Sequence, residues 1–420
     1  MSGSRLAPFP AWVTAFAVAT VVAPFLLFAG NLLGLPLGRA TAGGSLLLAV
    51  LVAHARFGGA AGPAPERGAR RPWSWTRGLC LLLLAFAAAT ALLQALSLPL
   101  YHWDALVLYG FKAKVLFSAG TFRTPAFLDK GIVSPNANYP LLIPYLEAGF
   151  YALLGRVDER LVRLIFFAYW LAYLALVHAE LRRPLGEDAA LAAAALLGTA
   201  PLFFRDDATQ AVSGSVDVAF AFYWTGAVLA ALRAREDGDR RGLELCLVLV
   251  LGGLFTKPHG LALGLIPVGL ALSRRSLRAH GPSIAVFAAA AAAWVWTRHL
   301  LPDNVDYVPR TVGASMLTAA WSRVPVVAGA WPRELFRRDH WGLFWVLALA
   351  VIAAGAARRR LTSPIRRILL ALGAQLLVYT AVYLAAPNEI GGFLDSTLSR
   401  MTIHLSGLAA VAAGWTFELL

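Results

Sequence analysis

Charge is what this chain has least of. Of its 420 residues 14% are charged, whereas a soluble domain carries roughly 25%. Cysteine is almost missing. The two that occur, Cys80 and Cys246, both fall in apolar stretches, so there is no disulfide framework and both read as packing residues. Nucleotide signatures are missing as well: the sequence has no P-loop, no GxGxxG after a strand, no HExxH and no CxxC pair. The basic loops are too short to house a soluble α/β domain. Together these absences exclude a soluble enzyme fed by a nucleotide. An activated donor has to arrive in the membrane or from outside.

What the chain has is apolar helix. Hydrophobic residues make up 59% of it, in runs close to the roughly 20 residues that cross a bilayer. The expected fold class is an all-α polytopic bundle of about twelve spans: 11–33, 41–56, 78–100, 161–181, 187–204, 217–233, 242–256, 259–273, 281–299, 341–357, 365–386 and 401–420. The first run exceeds a signal-peptide core of about 7–15 residues and reads as an uncleaved span.

The net charge is +14, and its distribution gives its meaning. Arg56, Arg67, Arg70, Arg71 and Arg77 share one loop, and Arg182 and Arg183 another. Arg233, Arg235, Arg240 and Arg241 follow, then Arg274, Arg275 and Arg278, then Arg358, Arg359, Arg360, Arg366 and Arg367. With twelve spans and Arg5 inside, all these loops are cytoplasmic, as the positive-inside rule asks. The basic excess is therefore topology and contact with membrane lipid, not nucleic-acid binding.

The same topology puts segments 101–160, 205–216, 300–340 and 387–400 on the other face. Two units are expected: a hairpin with its cytoplasmic loop over 1–77, and a core over 78–420 that contains the loop 101–160. Segment 101–120 has helical apolar spacing and lies along the surface. Segment 139–155 is a helix with prolines in its first turns. It is placed beside the membrane, because crossing would reverse every later basic loop. The pieces around Val308-Pro309, Val324-Pro325 and Trp331-Pro332 also suit the interface.

The chemical residues collect on that outer face. Asp104 follows the third span in His102-Trp103-Asp104. Its functional reading is part of a reaction centre at a membrane face; its plain one is a solvated helix end. Lys112 and Lys114 suit either substrate contact or snorkelling at the lipid boundary. Asp217 opens a span, where capping alone favours an acid. Asp206 and Asp207 read as loop charges. Lys257 lies in Thr256-Lys257-Pro258, a sharp break between spans, and a charge at that depth costs about 2.5–3.5 kcal/mol unless it faces a cavity or an anion. Thr397, Arg400 and His404 share one helix stripe. An arginine fork there suits a phosphate, and the plain alternative is an interfacial arginine beside a packed histidine.

In this order the residues resemble the polytopic GT-C glycosyltransferases, the class that includes protein O-mannosyltransferases and lipid A aminoarabinose transferases. The resemblance covers roughly 78–410. It runs through His102-Trp103-Asp104 with Lys112 and Lys114, then Asn138-Tyr139-Pro140-Leu141-Leu142-Ile143-Pro144, Asp217, Thr256-Lys257, and the stretch from Thr397 to His404. It implies Asp104 as the base, Asp217 as an auxiliary acid, and Lys257 and Arg400 as a phosphate clamp. Lys112, Lys114, Tyr139 and His404 are further substrate contacts. The implied partners are a polyprenyl-phosphate-sugar donor and a hydroxyl acceptor on a glycan, lipid or protein. The implied place is a bacterial inner membrane, with the site facing outward. Many relatives carry two nearby acids in the first outer loop, whereas here Ala105 follows Asp104. No cofactor is certain, and a divalent metal is left open by this departure.

Two rivals come from other classes. A transporter would put its charges near the midplane on broken helices or in repeated halves, and neither is visible. A lipid-linked oligosaccharide ligase or polymerase would use the same donor class. The outer pair Arg337-Arg338 is its one supporting feature.

Overall fold

The computed structural model describes residues 9–58, 73–129, 136–236, 238–272, 280–302, 314–386 and 389–420. Arg5, Arg67, Arg70, Arg71, Arg274, Arg275, Arg278 and the Val308-Pro309 pair lie outside the described residues, as does most of the loop after Gly58. Among the described residues every regular element is helical. The longer α-helices, in chain order, are α1 (Ala11–Leu32), α2 (Arg39–Phe57), α3 (Trp75–Ser97), α4 (Phe111–Ala119), α5 (Leu142–Leu154), α6 (Arg163–Leu185), α7 (Glu187–Gly198), α8 (Asp217–Glu236), α9 (Arg240–Leu254), α10 (Gly260–Ala271), α11 (Gly281–Leu300), α12 (Ala314–Leu335), α13 (Phe344–Ala357), α14 (Ser363–Ala385) and α15 (Ile390–Phe417). The chain is an all-α integral membrane protein.

Each of the twelve expected spans coincides with a helix. By length and composition, five are long and apolar enough to cross a membrane: α1, α2, α3, α6 and α14. Three expected spans end elsewhere, for local reasons. The run 187–204 breaks after Gly198, and Pro201, which lacks an N–H, starts a separate 3-10 turn. The run 341–357 starts at Phe344, after Gly342 with φ 55°. The last span is the lower part of a 28-residue helix that begins at Ile390, where the Glu389 side chain accepts from the N–H groups of Gly391 and Gly392. Arg400 therefore lies inside that helix, not at its entrance.

The core is organised around α8. Every residue from Asp217 to Ala234 is buried, packed by α6, α9, α10 and α15. A helix that is apolar all round demands such enclosure. By contrast α2 and α3 leave most of their apolar surface uncovered, as lipid-facing helices do. The hairpin is tied to the core: Tyr223 on α8 donates to Thr20 on α1 at 2.9 Å, and Tyr145 on α5 donates to Asn31 at 2.8 Å.

One end of the bundle gathers the turns that matter. Leu37, after α1, donates its N–H to the Gly120 carbonyl. Leu142, at the start of α5, donates to the Phe255 carbonyl. Phe255 in turn packs edge-on to Phe28, near the end of α1. At the other end of α5, Gly155 abuts Arg39 at the head of α2. Both ends of α5 thus lie at the same end of the bundle.

Candidate active site

Asp217 is the centre of a buried ionic cluster. Its side chain is 2% exposed and meets Lys257, Arg400 and His404. The Arg400 Nε donates to it at 2.8 Å, and His404 Nε2 lies 3.0 Å from it. The Ser215 hydroxyl donates to the same carboxylate at 2.5 Å. Arg400 also reaches Asp104 through its Nη2, so one guanidinium bridges the two acids. Two acids and two cations leave the cluster close to electroneutral, the condition for burying charge at tolerable cost. Among the described residues Asp104 meets Arg400 alone and keeps 16% exposure.

Each group is delivered by a local feature. Asp104 begins a π-helical turn, Asp104–Gly110, that runs straight into α4. Wide turns of this kind are rare and recur at functional sites. Lys257 sits in the five residues between α9 and α10. That turn is tight because Gly260 lies against the Gly253 carbonyl, where a Cβ would come within 2.3 Å of it. The stripe on α15 splits its duties: Arg400 and His404 serve Asp217, while Thr397 bonds Tyr383 at 3.0 Å. Among the described residues no group of three or more His, Cys, Asp or Glu is arranged to hold a metal ion. Asp104 and Asp217 are already engaged by arginine and lysine, so this donor set does not fit a divalent cation.

The remaining candidates make separate contacts. Lys112 is fully buried and donates to the Asn136 carbonyl, with its ammonium 5.8 Å from the centre of the Tyr139 ring. Burial pushes its pKa down to about 7. Lys114 pairs with Glu159 at the surface. Asp206 accepts from Tyr101, and Asp207 from Arg205. Arg337 bonds to Asp339, beside its neighbour Arg338.

Several participants escaped the sequence reading. Ser215 links Asp217 to Arg400, its Oγ lying 3.3 Å from the Arg400 Nη2. Tyr379 lies 2.7 Å from His404 Nδ1 and accepts from Gln375 at 3.1 Å. The donor directions that satisfy each group run from Gln375 to Tyr379, to His404, to Asp217, with the imidazole neutral. Tyr109, from the π turn, is buried, which with the nearby Asp104 raises its phenol well above the ordinary range. Ser215 had a signal, being two residues before Asp217. Tyr379 and Gln375 had none, since an intramembrane tyrosine normally reads as packing.

Residues 138–297 match the family model described as Dolichyl-phosphate-mannose-protein mannosyltransferase. This stretch is a GT-C-type glycosyltransferase domain. The match covers Tyr139, Asp217 and Lys257. Asp104, Arg400 and His404 lie outside it and join the site through their contacts with Asp217 and with each other. Neither a curated protein nor a solved structure gives a match. The resemblance drawn from the sequence is therefore borne out at the level of a membrane glycosyltransferase.

Proposed function

We propose that this membrane glycosyltransferase moves a sugar from a polyprenyl-phosphate carrier to a hydroxyl acceptor, at the face of a bacterial inner membrane that looks away from the cytoplasm. The observation that carries the reading is the single cluster made by Asp104, Asp217, Lys257 and Arg400. In it Asp217 holds two cations in place and is fully engaged. Asp104 is the less engaged acid and the more exposed one, which suits a base.

The chemistry follows from those roles. The sugar–phosphate bond breaks with its electrons going to the phosphate. The site has to supply positive charge where that negative charge develops, and to have it in place beforehand. Lys257 and Arg400, held by Asp217, provide it without reorganising. Asp104 takes the proton of the attacking hydroxyl, for which it must come within about 2.6–3.2 Å. One displacement inverts the anomeric carbon. Tyr139 and Lys114 are put forward as further substrate contacts, whereas Lys112 is buried with its ammonium on the Asn136 carbonyl.

The test is a reconstituted assay with mannosyl-phosphoryl polyprenol and GDP-mannose offered as alternative donors. Sugar release or transfer is expected from the lipid donor and not from the nucleotide. Asp104→Asn should keep expression and melting temperature while losing on the order of 10²-fold or more in turnover. A preference for the nucleotide would overturn the donor class. Near-normal turnover by Asp104→Asn would remove that residue from the mechanism.

A further inference from the structure

Arg163 was singled out neither by its sequence context nor by the cluster. It is the first residue of α6 and is fully buried. A cation there is doubly unfavoured, because it opposes the helix dipole and leaves water. No carboxylate compensates it by direct contact among the described residues. Its guanidinium instead spends its donors on neutral oxygens from two different loops. Nη1 reaches the Leu98 carbonyl at 2.8 Å and the Pro99 carbonyl at 3.3 Å. Nε reaches the Val212 carbonyl at 2.7 Å, and Nη2 reaches the Gln210 side-chain oxygen at 2.8 Å. The Tyr101 ring covers it, with its centre 5.5 Å away.

Those two loops are the ones that carry the acids. Leu98 and Pro99 lead into Asp104, and Gln210 and Val212 lead into Asp217. The loops also touch directly at Gly214, where a Cβ would fall 2.5 Å from Leu100 and 2.7 Å from Ala105. Tyr101 adds a further tie by donating to Asp206.

We propose that Arg163 is a positioning residue that sets the spacing of Asp104 and Asp217. It acts through the backbone of their loops and touches neither acid nor substrate. Its fork matters as well as its charge, because a lysine ammonium presents no rigid set of donors to two chains at once. The effect on turnover rests on the glycosyl-transfer reading above; the effect on the loops does not.

The test has two arms, run on full-length protein in detergent. In hydrogen exchange, Arg163→Lys and the milder Gln210→Ala should each speed exchange in 98–104 and 209–217 together, with α8 and α15 unchanged. In the lipid-donor assay, Arg163→Lys should lower kcat by about 10²-fold, since misplacement of about 1 Å costs that much. Donor KM should stay within about threefold. Should Arg163→Lys fail to fold, Gln210→Ala carries both arms, with the same direction and a smaller size. Exchange that rises in one loop alone, in neither, or throughout the protein would overturn the proposal. So would a lower melting temperature with unchanged kcat. Wild-type protein without lipid-donor turnover would sink the functional reading, while the exchange arm still decides the role of Arg163.

Discussion

At the scale of single residues, buried charge is sorted by whether it has a partner. Asp217, Lys257 and Arg400 compensate one another. Among the described residues Lys112 has only a carbonyl and a ring face, and burial lowers its pKa to about 7 from 10.5. Glu147 on α5 is the acidic counterpart: neither carboxylate oxygen has a partner among the described residues, and burial raises it well above the ordinary range. The sign of the linkage for Lys112 is fixed by its folded pKa lying below the unfolded one. Above about pH 10.5 both states are neutral and nothing is lost. As pH falls towards 7 the unfolded chain binds the proton and the folded one does not, so stability drains away across that window and levels off below it. Lys112→Met should therefore stabilise the protein at pH 7 and flatten the change in melting temperature between pH 7 and pH 9.5. Parallel curves for wild type and variant in detergent would show that Lys112 has an ordinary pKa. The sequence placed this residue between substrate contact and snorkelling; it could not show that the ammonium is buried against the Asn136 carbonyl.

At the scale of elements, the outer segments are held by close backbone approach as well as by side chains. The twelve expected spans were legible because each is an apolar run bounded by glycine, proline or arginine, whereas α12 was read only as interfacial pieces within an outer loop. The sequence also made α5 legible as a helix, through the prolines in its first turns. It did not reveal the π turn at Asp104, since an extra residue per turn leaves no periodic mark in seven residues. Nor did it reveal that the loops before Asp104 and Asp217 meet. Gly214 is where that meeting is tightest: its φ is +88°, and there is no room for a side chain between Leu100 and Ala105. Gly214→Ala is therefore strained both in backbone and in space. It should separate the two acid loops and cost at least about 1 kcal/mol of stability, with turnover falling further than the stability loss explains. Wild-type activity and melting temperature in Gly214→Ala would mean that the loops are more plastic than this packing allows.

At the scale of the whole molecule, the ionic cluster and the basic loops lie at opposite ends of the bundle. Asp104, Asp217, Lys257 and Arg400 mark one end. The pairs Arg56 with Glu244, Arg77 with Asp188 and Arg367 with Glu236, and Arg358 on the carbonyl of Leu420, lie at the opposite end. This polarity was readable from the arginine loops alone, whereas the convergence of Lys257, Arg400 and His404 on Asp217 needed the packing of α8 against α9 and α15. If the arginine end faces the cytoplasm, the site opens outward, where a lipid-carried sugar would be used. Leu35, in the turn after α1, is 56% exposed at the site end, and Arg358 is exposed at the other. The native thiols Cys80 and Cys246 are both buried, so wild-type protein should give little background with a membrane-impermeant thiol reagent. On intact cells Leu35→Cys should label and Arg358→Cys should not; after permeabilisation both should. Labelling of Arg358→Cys alone in intact cells would turn the bundle over. The cluster would then face the cytoplasm, where nucleotide sugars are present, and the argument for a lipid donor from topology would be lost even with every contact around Asp217 unchanged.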